Sequence, residues 1–325
     1  MPIDWTPFVD LVRRRRKFLL TTHVRPDPDG LGSQLGLAEV LDTLGKDVRL
    51  VISSNWPPRY DFMDPGKRIR RFELPGDSYR DVEAVIILDT GTWNQLGDFG
   101  PFLKTLACDK VVIDHHVSQD DLGALLLRDT TSESTGRLVY EAIQALGRPL
   151  TPQAANFLFA AMATDTGWFR HPNTTPTTFD LAKELTAAGA NPTWLYEQLY
   201  ECNTLARLKL LGVVLPRLRV IENGKVALMD LRLTDYAATG AIPSDSENLV
   251  NYPRSIAGVE VGLLFMEQPA GGIKVSFRSR EKIDVAKIAE QFGGGGHRLA
   301  SGATLQTTLV DAETRVLAAL RSALA

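Results

Sequence analysis

The sequence predicts an α/β fold, in which a doubly wound, largely parallel sheet is joined by a helical linker to a second, smaller α+β domain. In the first half of the chain, short aliphatic runs alternate with segments of helical periodicity, which is the pattern of βαβ units. After about residue 179 come helical segments, and these are followed by three strand candidates and two helices. The predicted boundaries are 1–188 for the first domain, 189–215 for the linker and 216–325 for the second domain.

Each predicted element follows from its local pattern. Short aliphatic runs predict buried strands, and apolar residues at helical spacing predict helices. Gly45 is placed to end one helix, and Pro152 suits the first turn of another. In the first domain the predicted strands are 17–23, 47–52, 82–89 and 110–116, with 123–129 as a further candidate, and the main helices are 31–45 and 152–167. In the second domain the predicted strands are 225–231, 258–267 and 272–279, followed by a helix at 284–292, a glycine turn and a final amphipathic helix.

The composition is that of an ordinary globular protein, with 44% hydrophobic and 23% charged residues. A net charge of −3 argues against a protein that coats long nucleic acid, because such proteins depend on a basic surface. The same net charge is compatible with a small phosphorylated substrate that binds in one basic pocket. No apolar run approaches the roughly 20 residues of a membrane span, and we see no secretory signal. The two cysteines, Cys108 and Cys202, have no metal-type spacing, so we expect a reducing cytoplasm and no disulfide framework.

Polar clusters follow the predicted strands of the first domain at the points where the strands end. The first strand ends at His23, with Asp27 and Asp29 in the turn beyond it. The third ends at Asp89. In an open α/β sheet the carboxyl ends of the strands form one crevice, so we expect these clusters to converge. The fourth strand adds Asp114, His115 and His116 to the crevice, and Asp165 closes the second main helix.

Four carboxylates in one crevice cannot all stay ionised unless cations balance them. Two divalent metal ions would do so, and a mixture of imidazole and carboxylate donors suits manganese or a similar ion. Each cluster also has a simpler interpretation. Asp27 and Asp29 could form a turn, Asp89 could cap a helix, and a histidine at a strand end is often structural. Four such clusters at equivalent ends of predicted strands and of one helix favour a metal site over separate turns and caps.

Two features of the second domain suggest anion binding. Four consecutive glycines precede His297; they could simply end a helix, or they could let the backbone aim N–H groups at an anion. Arg278 and Arg280 alternate along a strand and therefore face one side, where arginine can bind phosphate through a two-pronged contact. On a generic strand, two arginines that simply face solvent are about as common as two that bind a ligand. In the first domain, the hydroxyl-rich segment 130–141 opens a helix, and it could cap that helix or bind phosphate.

These motifs also resemble a known family. "HVRPDPDGLGS", "ILDTG", "IDHH" and "ATDTGWF" occur in the order of the four motifs of the DHH phosphoesterases. "FRSR" and "FGGGGHRLASGA" resemble the DHH-associated domain, so the resemblance runs through the whole chain. Within that superfamily, the chain is most similar in size and domain pairing to the nanoRNase and pAp phosphatase group.

The resemblance implies a role for each motif residue. His23 and Asp27 would hold one metal ion, Asp29, His115 and Asp165 would hold the other, and Asp89 would bridge the two. His116 would face the substrate phosphate, and we interpret Asp114 as the group that orients the histidine pair. The ions would be manganese, with magnesium or cobalt as alternatives, and the protein would be a homodimer. In the second domain, the residues expected to grip the substrate's terminal phosphate or nucleotide are Arg278, Arg280, Gly294, Gly295, Gly296, His297 and Ser301.

The expected activity is metal-assisted hydrolysis of phosphate esters in short RNA oligomers, pAp or the linear dinucleotide pApA, with cyclic di-AMP as a further candidate. Three alternatives are weighed against it. A manganese pyrophosphatase is expected to carry a phosphate motif rich in lysine and arginine in place of "GGGGH". A RecJ-type exonuclease is expected to need a further nucleic-acid-binding module. A non-catalytic nucleotide-binding protein is disfavoured because every motif keeps its candidate ligands.

Overall fold

The computed structural model describes residues 2–324, with the exception of the side chain of His297. The described chain folds as two compact units that divide between Cys202 and Asn203, within the segment predicted as a linker. Each unit is built on a six-stranded sheet. None of the helices in the described part of the chain is both long and apolar enough to cross a membrane.

All six strands of the first sheet are parallel, in the order β3-β2-β1-β4-β5-β6. The chain winds outward from β1 in one direction and then returns to add β4 on its other side, which makes the sheet doubly wound as predicted. The short edge strand β3 was missed, because its sequence IRR lacks an aliphatic run. The strands are β1 Lys17–Thr21, β2 Asp47–Ile52, β3 Ile69–Arg71, β4 Ala84–Leu88, β5 Asp109–Asp114 and β6 Leu125–Arg128.

Helices cover both faces of this sheet, and α2 packs closely against α5. A Cβ at Gly32 in α2 would lie 2.3 Å from the carbonyl oxygen of Phe157 in α5, so only glycine allows this approach. The contact brings the start of α2 and the end of α5 to the same end of the sheet. The α-helices of the first unit are α1 Thr6–Arg14, α2 Pro28–Thr43, α3 Phe99–Thr105, α4 Thr135–Ala145, α5 Pro152–Asp165, α6 Pro176–Ala187 and α7 Pro192–Tyr196, and a π-helical turn, Glu197–Glu201, follows α7.

The second sheet is mixed, in the order β11-β12-β10-β9-β8-β7, with β8 and β9 parallel and the other neighbours antiparallel. One apolar core lies between this sheet and helices α11 and α12, and another lies on the opposite face beside α8. The predicted glycine turn includes a short strand, β11. The elements are α8 Leu205–Val214, β7 Arg219–Ile221, β8 Val226–Leu231, α9 Leu233–Thr239, α10 Asn251–Ser255, β9 Val261–Glu267, β10 Ile273–Ser279, α11 Val285–Glu290, β11 Gly295–His297, β12 Ala300–Leu305 and α12 Leu309–Leu324.

Candidate metal centre

The polar clusters of the first unit lie together because of the order of its strands. His23 follows β1, Asp89 follows β4 and His115 follows β5, and these three strands are neighbours in the sheet. Their carboxyl ends therefore form one edge of the crevice. Helix α2 begins at Pro28, three residues before the predicted start, because Asp27 caps it by accepting hydrogen bonds from the backbone N–H groups of residues 29 and 30.

The six predicted ligands form two groups that share Asp89. In the first group, Nε2 of His23 lies 3.7 Å from Oδ1 of Asp27 and 3.4 Å from Oδ2 of Asp89. In the second group, Nε2 of His115 lies 3.6 Å from the other oxygen of Asp89, Oδ1. Asp89 thus offers one oxygen to each group. The remaining distances from Nε2 of His115 are 3.7 Å to Oδ2 of Asp29 and 3.3 Å to Oδ2 of Asp165.

The geometry of these donors fits divalent cations. Two ligands on one ion, with bonds of about 2.1 Å, lie about 3.0–3.4 Å apart, which is close to the separations seen here. Nδ1 of His23 and of His115 lies 3.0 and 3.2 Å from the carbonyl oxygens of Val24 and Ser132, respectively. A histidine that donates from Nδ1 directs the lone pair of Nε2 at the carboxylates, and a cation between them removes the resulting repulsion.

Without a cation, the cluster retains protons. Burial raises the pKa of Asp29 well above its usual range, and the charges of Asp89, Asp165 and Asp27 raise it further. Burial also raises the pKa of Asp165, to about 7. Burial alone would lower the pKa of His23, but its hydrogen bonds and charge interactions with Asp27 and Asp89 raise it well above the usual range. Metal binding would therefore displace protons from this site.

The first turn of α4 holds two of the carboxylates in place. The backbone N–H groups of Thr135 and Gly136 donate to the two oxygens of Asp29, at 2.8 and 2.9 Å. The hydroxyl of Thr135 donates to Oδ1 of Asp89 at 2.9 Å. Ser134 caps the helix, so capping and ligand positioning together explain the hydroxyl-rich segment. Thr135 was missed as a functional residue by sequence reasoning, although the cluster of hydroxyls was a signal for it.

His116 is held by the carboxylate next to it in the sequence. Its Nδ1 lies 2.9 Å from Oδ1 of Asp114, which also accepts the backbone N–H of His116 at 3.1 Å. Burial would lower the pKa of His116, but the hydrogen bond to Asp114 and the charge of Asp89 raise it to about 9. In the metal-free protein His116 is therefore a cation at neutral pH, and its Nδ1 proton is directed at the fully buried Asp114.

The structure does not bring all the predicted substrate-binding residues of the second unit together. Ser301 pairs with Phe277 in the sheet, so it lies on the opposite face from Arg278, and its hydroxyl donates to the carbonyl of Val285. Arg280 was expected to face a phosphate; in the structure its guanidinium donates to the backbone carbonyls of residues 254, 256 and 259, in the segment before β9. These two side chains hold backbone segments together, and their part in substrate binding stays a prediction.

The glycines have two different environments. Cβ atoms at Gly294 and Gly296 would lie 2.1 and 2.6 Å from backbone oxygens of β12, so these two glycines allow β11 to lie close to its neighbour. A Cβ at Gly295 would meet nothing within 4 Å, which leaves room for a ligand. The backbone of His297 belongs to β11, but its side chain lies outside the part of the chain that the structure describes.

Comparison with known proteins gives a consistent result. Residues 17–162 match the DHH family N-terminal domain, and residues 223–325 match the DHHA1 domain. The bifunctional oligoribonuclease and PAP phosphatase NrnA of Bacillus subtilis is 31% identical, over 94% of this chain and 93% of that protein. The Thermus thermophilus protein of the same name is also 31% identical, over 94% of this chain and 89% of its own.

A solved structure agrees with these matches over nearly the whole chain. It is the exopolyphosphatase-related protein from Bacteroides fragilis, which has a TM-score of 0.92 and 27% identity. The similarity covers 98% of this chain and 95% of that one. This chain belongs to the DHH family, as a member that carries a DHHA1 domain after its DHH domain.

Proposed function

We propose that this protein is a two-metal phosphoesterase that hydrolyses short RNA oligonucleotides, pAp and pApA, with cyclic di-AMP as a further candidate substrate. Relatives named oligoribonuclease and PAP phosphatase support the substrate class. The observation that carries the proposal is the position of Asp89, whose two oxygens face two separate groups of donors. Such a shared carboxylate is typical of sites that hold two ions and act on phosphate.

In this proposal His23 and Asp27 hold one ion, and Asp29, His115 and Asp165 hold the other. The ions are manganese, with magnesium or cobalt as alternatives. When bound, they supply a nucleophile at neutral pH and neutralise charge on the phosphate. The backbone N–H groups at the start of α4 fix the orientation of Asp29, and the hydroxyl of Thr135 fixes that of Asp89.

His116 acts on the substrate in this scheme. As an imidazolium it donates a hydrogen bond to a non-bridging phosphate oxygen, where negative charge increases in the transition state. Asp114 accepts the proton of Nδ1 and so keeps the ring in one orientation. Asp114 has no direct contact with substrate in the scheme and serves as an orienting group.

We further propose a homodimer in the cytoplasm that binds small nucleotides and no long nucleic acid. The net charge of −3 supports the limit on nucleic acid, because long polymers require a basic surface. Cys108 and Cys202 are both free thiols, in keeping with a reducing compartment. The homodimer follows from family resemblance, and sedimentation equilibrium would test it.

A hydrolysis panel tests the activity. Protein freed of metal with a chelator is assayed with added manganese on pAp, pApA, cyclic di-AMP, a short RNA and pyrophosphate. We expect turnover of the nucleotides and loss of at least about 1,000-fold for Asp89→Asn, which removes the shared charge but tolerates the left-handed backbone at this position.

The matched control is Asp129→Asn, because the side chain of Asp129 accepts hydrogen bonds within its own turn, from the backbone N–H and the hydroxyl of Thr131. We expect this variant to keep the wild-type rate. Turnover of pyrophosphate alone would identify a pyrophosphatase. Turnover of nothing in the panel, or full activity of Asp89→Asn, would refute the proposal.

A further inference from the structure

Two arginines at the carboxyl end of the first sheet carry charges that no carboxylate balances. Arg25 lies in the loop after β1, and Arg71 is the last residue of β3; both are exposed. Among the residues that the structure describes, no acidic side chain forms an ion pair with either of them. By contrast, Arg49 and Arg68, toward the amino ends of β2 and β3, each form an ion pair with an aspartate at 2.6 Å. The two arginines near the metal centre are therefore available to an anion.

The backbone at Arg25 has a conformation that arginine rarely adopts. Its φ is 55°, in the left-handed region that favours glycine. The N–H of Arg25 donates to the hydroxyl of Ser54, in the loop after β2, at 2.9 Å, and this bond helps to hold the strained turn. His23 and Asp27, the predicted ligands of one metal ion, lie two residues to either side of Arg25. Glycine would relieve the strain, and such strain is retained mainly at functional sites, so we interpret the guanidinium as the feature that this position preserves.

Two consecutive residues after β2 connect the two arginines. Ser54 accepts the backbone N–H of Arg25, and the amide oxygen of Asn55 accepts a hydrogen bond from Nη1 of Arg71 at 2.8 Å. Strand β2 lies between β1 and β3 in the sheet, so the two ends of this connection are two strand spacings, about 10 Å, apart. A row of polar groups therefore runs from the metal centre at the end of β1, across the end of β2, to the end of β3.

We propose that Arg25 and Arg71 bind internal phosphates of an oligonucleotide beyond the phosphate that is hydrolysed. The inference rests on the proposed function and names the part of an RNA substrate that the first unit recognises. The guanidinium group matches phosphate oxygens through two parallel hydrogen bonds, and an internal phosphate needs no base-specific contact to bind there. Two such positions suit RNA of a few nucleotides. The dinucleotide pApA has one internal phosphate, which is the one hydrolysed, and its terminal phosphate is expected in the second unit, so it leaves these arginines without a ligand.

The test compares pApApApA with pApA, which share the terminal phosphate and differ by two internal phosphates. The measured quantity is the preference for the longer substrate, as the ratio of the two kcat/KM values with manganese present. Arg25→Met should lower this ratio by about 5- to 10-fold, the lower end for a charge-assisted contact because Arg25 is exposed, and Arg71→Met should lower it in the same way. Arg13→Met, which removes an exposed arginine before β1 at the amino end of the sheet, is the matched control and should keep the wild-type ratio.

Arg25→Gly separates binding from folding. Glycine adopts the positive φ without strain, so the Tm of this variant should equal or exceed that of the wild type, while its preference for pApApApA falls as in Arg25→Met. A lower Tm with an unchanged preference would give Arg25 a structural role and overturn the proposal. An unchanged preference in both Arg25→Met and Arg71→Met would overturn it as well.

If the wild type hydrolyses neither substrate, the proposed activity fails by itself, and RNA binding then decides. Fluorescence anisotropy of labelled pApApApA is measured over a range of salt concentrations. Loss of one phosphate contact on a single strand lowers the slope of log affinity against log salt concentration by about 0.7. Such a reduction in Arg25→Met and in Arg71→Met supports the site. A wild-type slope in both variants, or no binding of the RNA by the wild type, contradicts it.

Discussion

Replacing Asp165 with asparagine should stabilise the metal-free protein and weaken metal binding at the same time. Burial and neighbouring carboxylates raise the pKa of Asp165 from 3.8 to about 7, even though the charge of His115 opposes the rise. At about 1.4 kcal/mol per pKa unit, the ionised side chain costs up to about 4 kcal/mol above pH 7. Asparagine removes that charge. The backbone carbonyl of residue 165, which accepts hydrogen bonds from His171 and Asn173, is unchanged by the substitution.

The assay is thermal denaturation at pH 8.5 after chelation, with and without added manganese. We expect the metal-free variant to gain about 1–4 kcal/mol, or several degrees in Tm. Manganese should raise its Tm by less than it raises that of the wild type, because a 10- to 100-fold weaker site loses about 1.4–2.7 kcal/mol of binding stabilisation.

Asp129→Asn is again the control, and it should behave as the wild type does in both conditions. Two results would refute the reasoning. A lower Tm for metal-free Asp165→Asn would show that the ionised side chain of Asp165 does not destabilise the folded protein. An undiminished response to manganese would show that Asp165 is not a ligand.

Two further predictions concern the same centre. Thr135→Val removes the hydroxyl that holds Asp89, so we expect manganese affinity, measured by electron paramagnetic resonance, to fall about tenfold. Thr135→Ser keeps a hydroxyl and should restore the affinity. Equal affinity in the wild type and the valine variant would contradict the positioning role of Thr135. The metal-free protein should lose stability from pH 6 to pH 9.5 in calorimetry. The pKa values of His23 and His116 are raised in the folded protein, to about 9 for His116. The two protonated histidines therefore stabilise the fold fully below the unfolded-state pKa of about 6.5, and this stabilisation is lost as the pH rises through their folded-state pKa values. A flat or rising profile would contradict this assignment.

Sequence reasoning alone could identify the elements and the chemistry of the metal-binding region. The aliphatic runs that become β1, β4 and β5 are local patterns, and each is followed immediately by the polar residues that define the site. Parallel strands place such residues at one end of a sheet whatever their exact order. The convergence of His23, Asp89 and His115 was therefore predictable without any contact information.

Only the tertiary structure shows which groups hold the residues of the metal-binding region in place and which arginines lie on one face of the second sheet. Thr135 bonds Asp29 and Asp89 across 106 and 46 positions of the chain, and no local pattern encodes such a contact. The hydrogen bonds of Ser301 and Arg280 to backbone carbonyls were not predicted, because proximity within a motif does not indicate the face of a strand or a contact with a distant loop. Arg254 comes close to Gly262, the strand partner of Arg278, because α10 packs on β9 at this glycine. Local periodicity determines strands and helices, whereas side-chain partners depend on the packing of segments that are far apart in the chain.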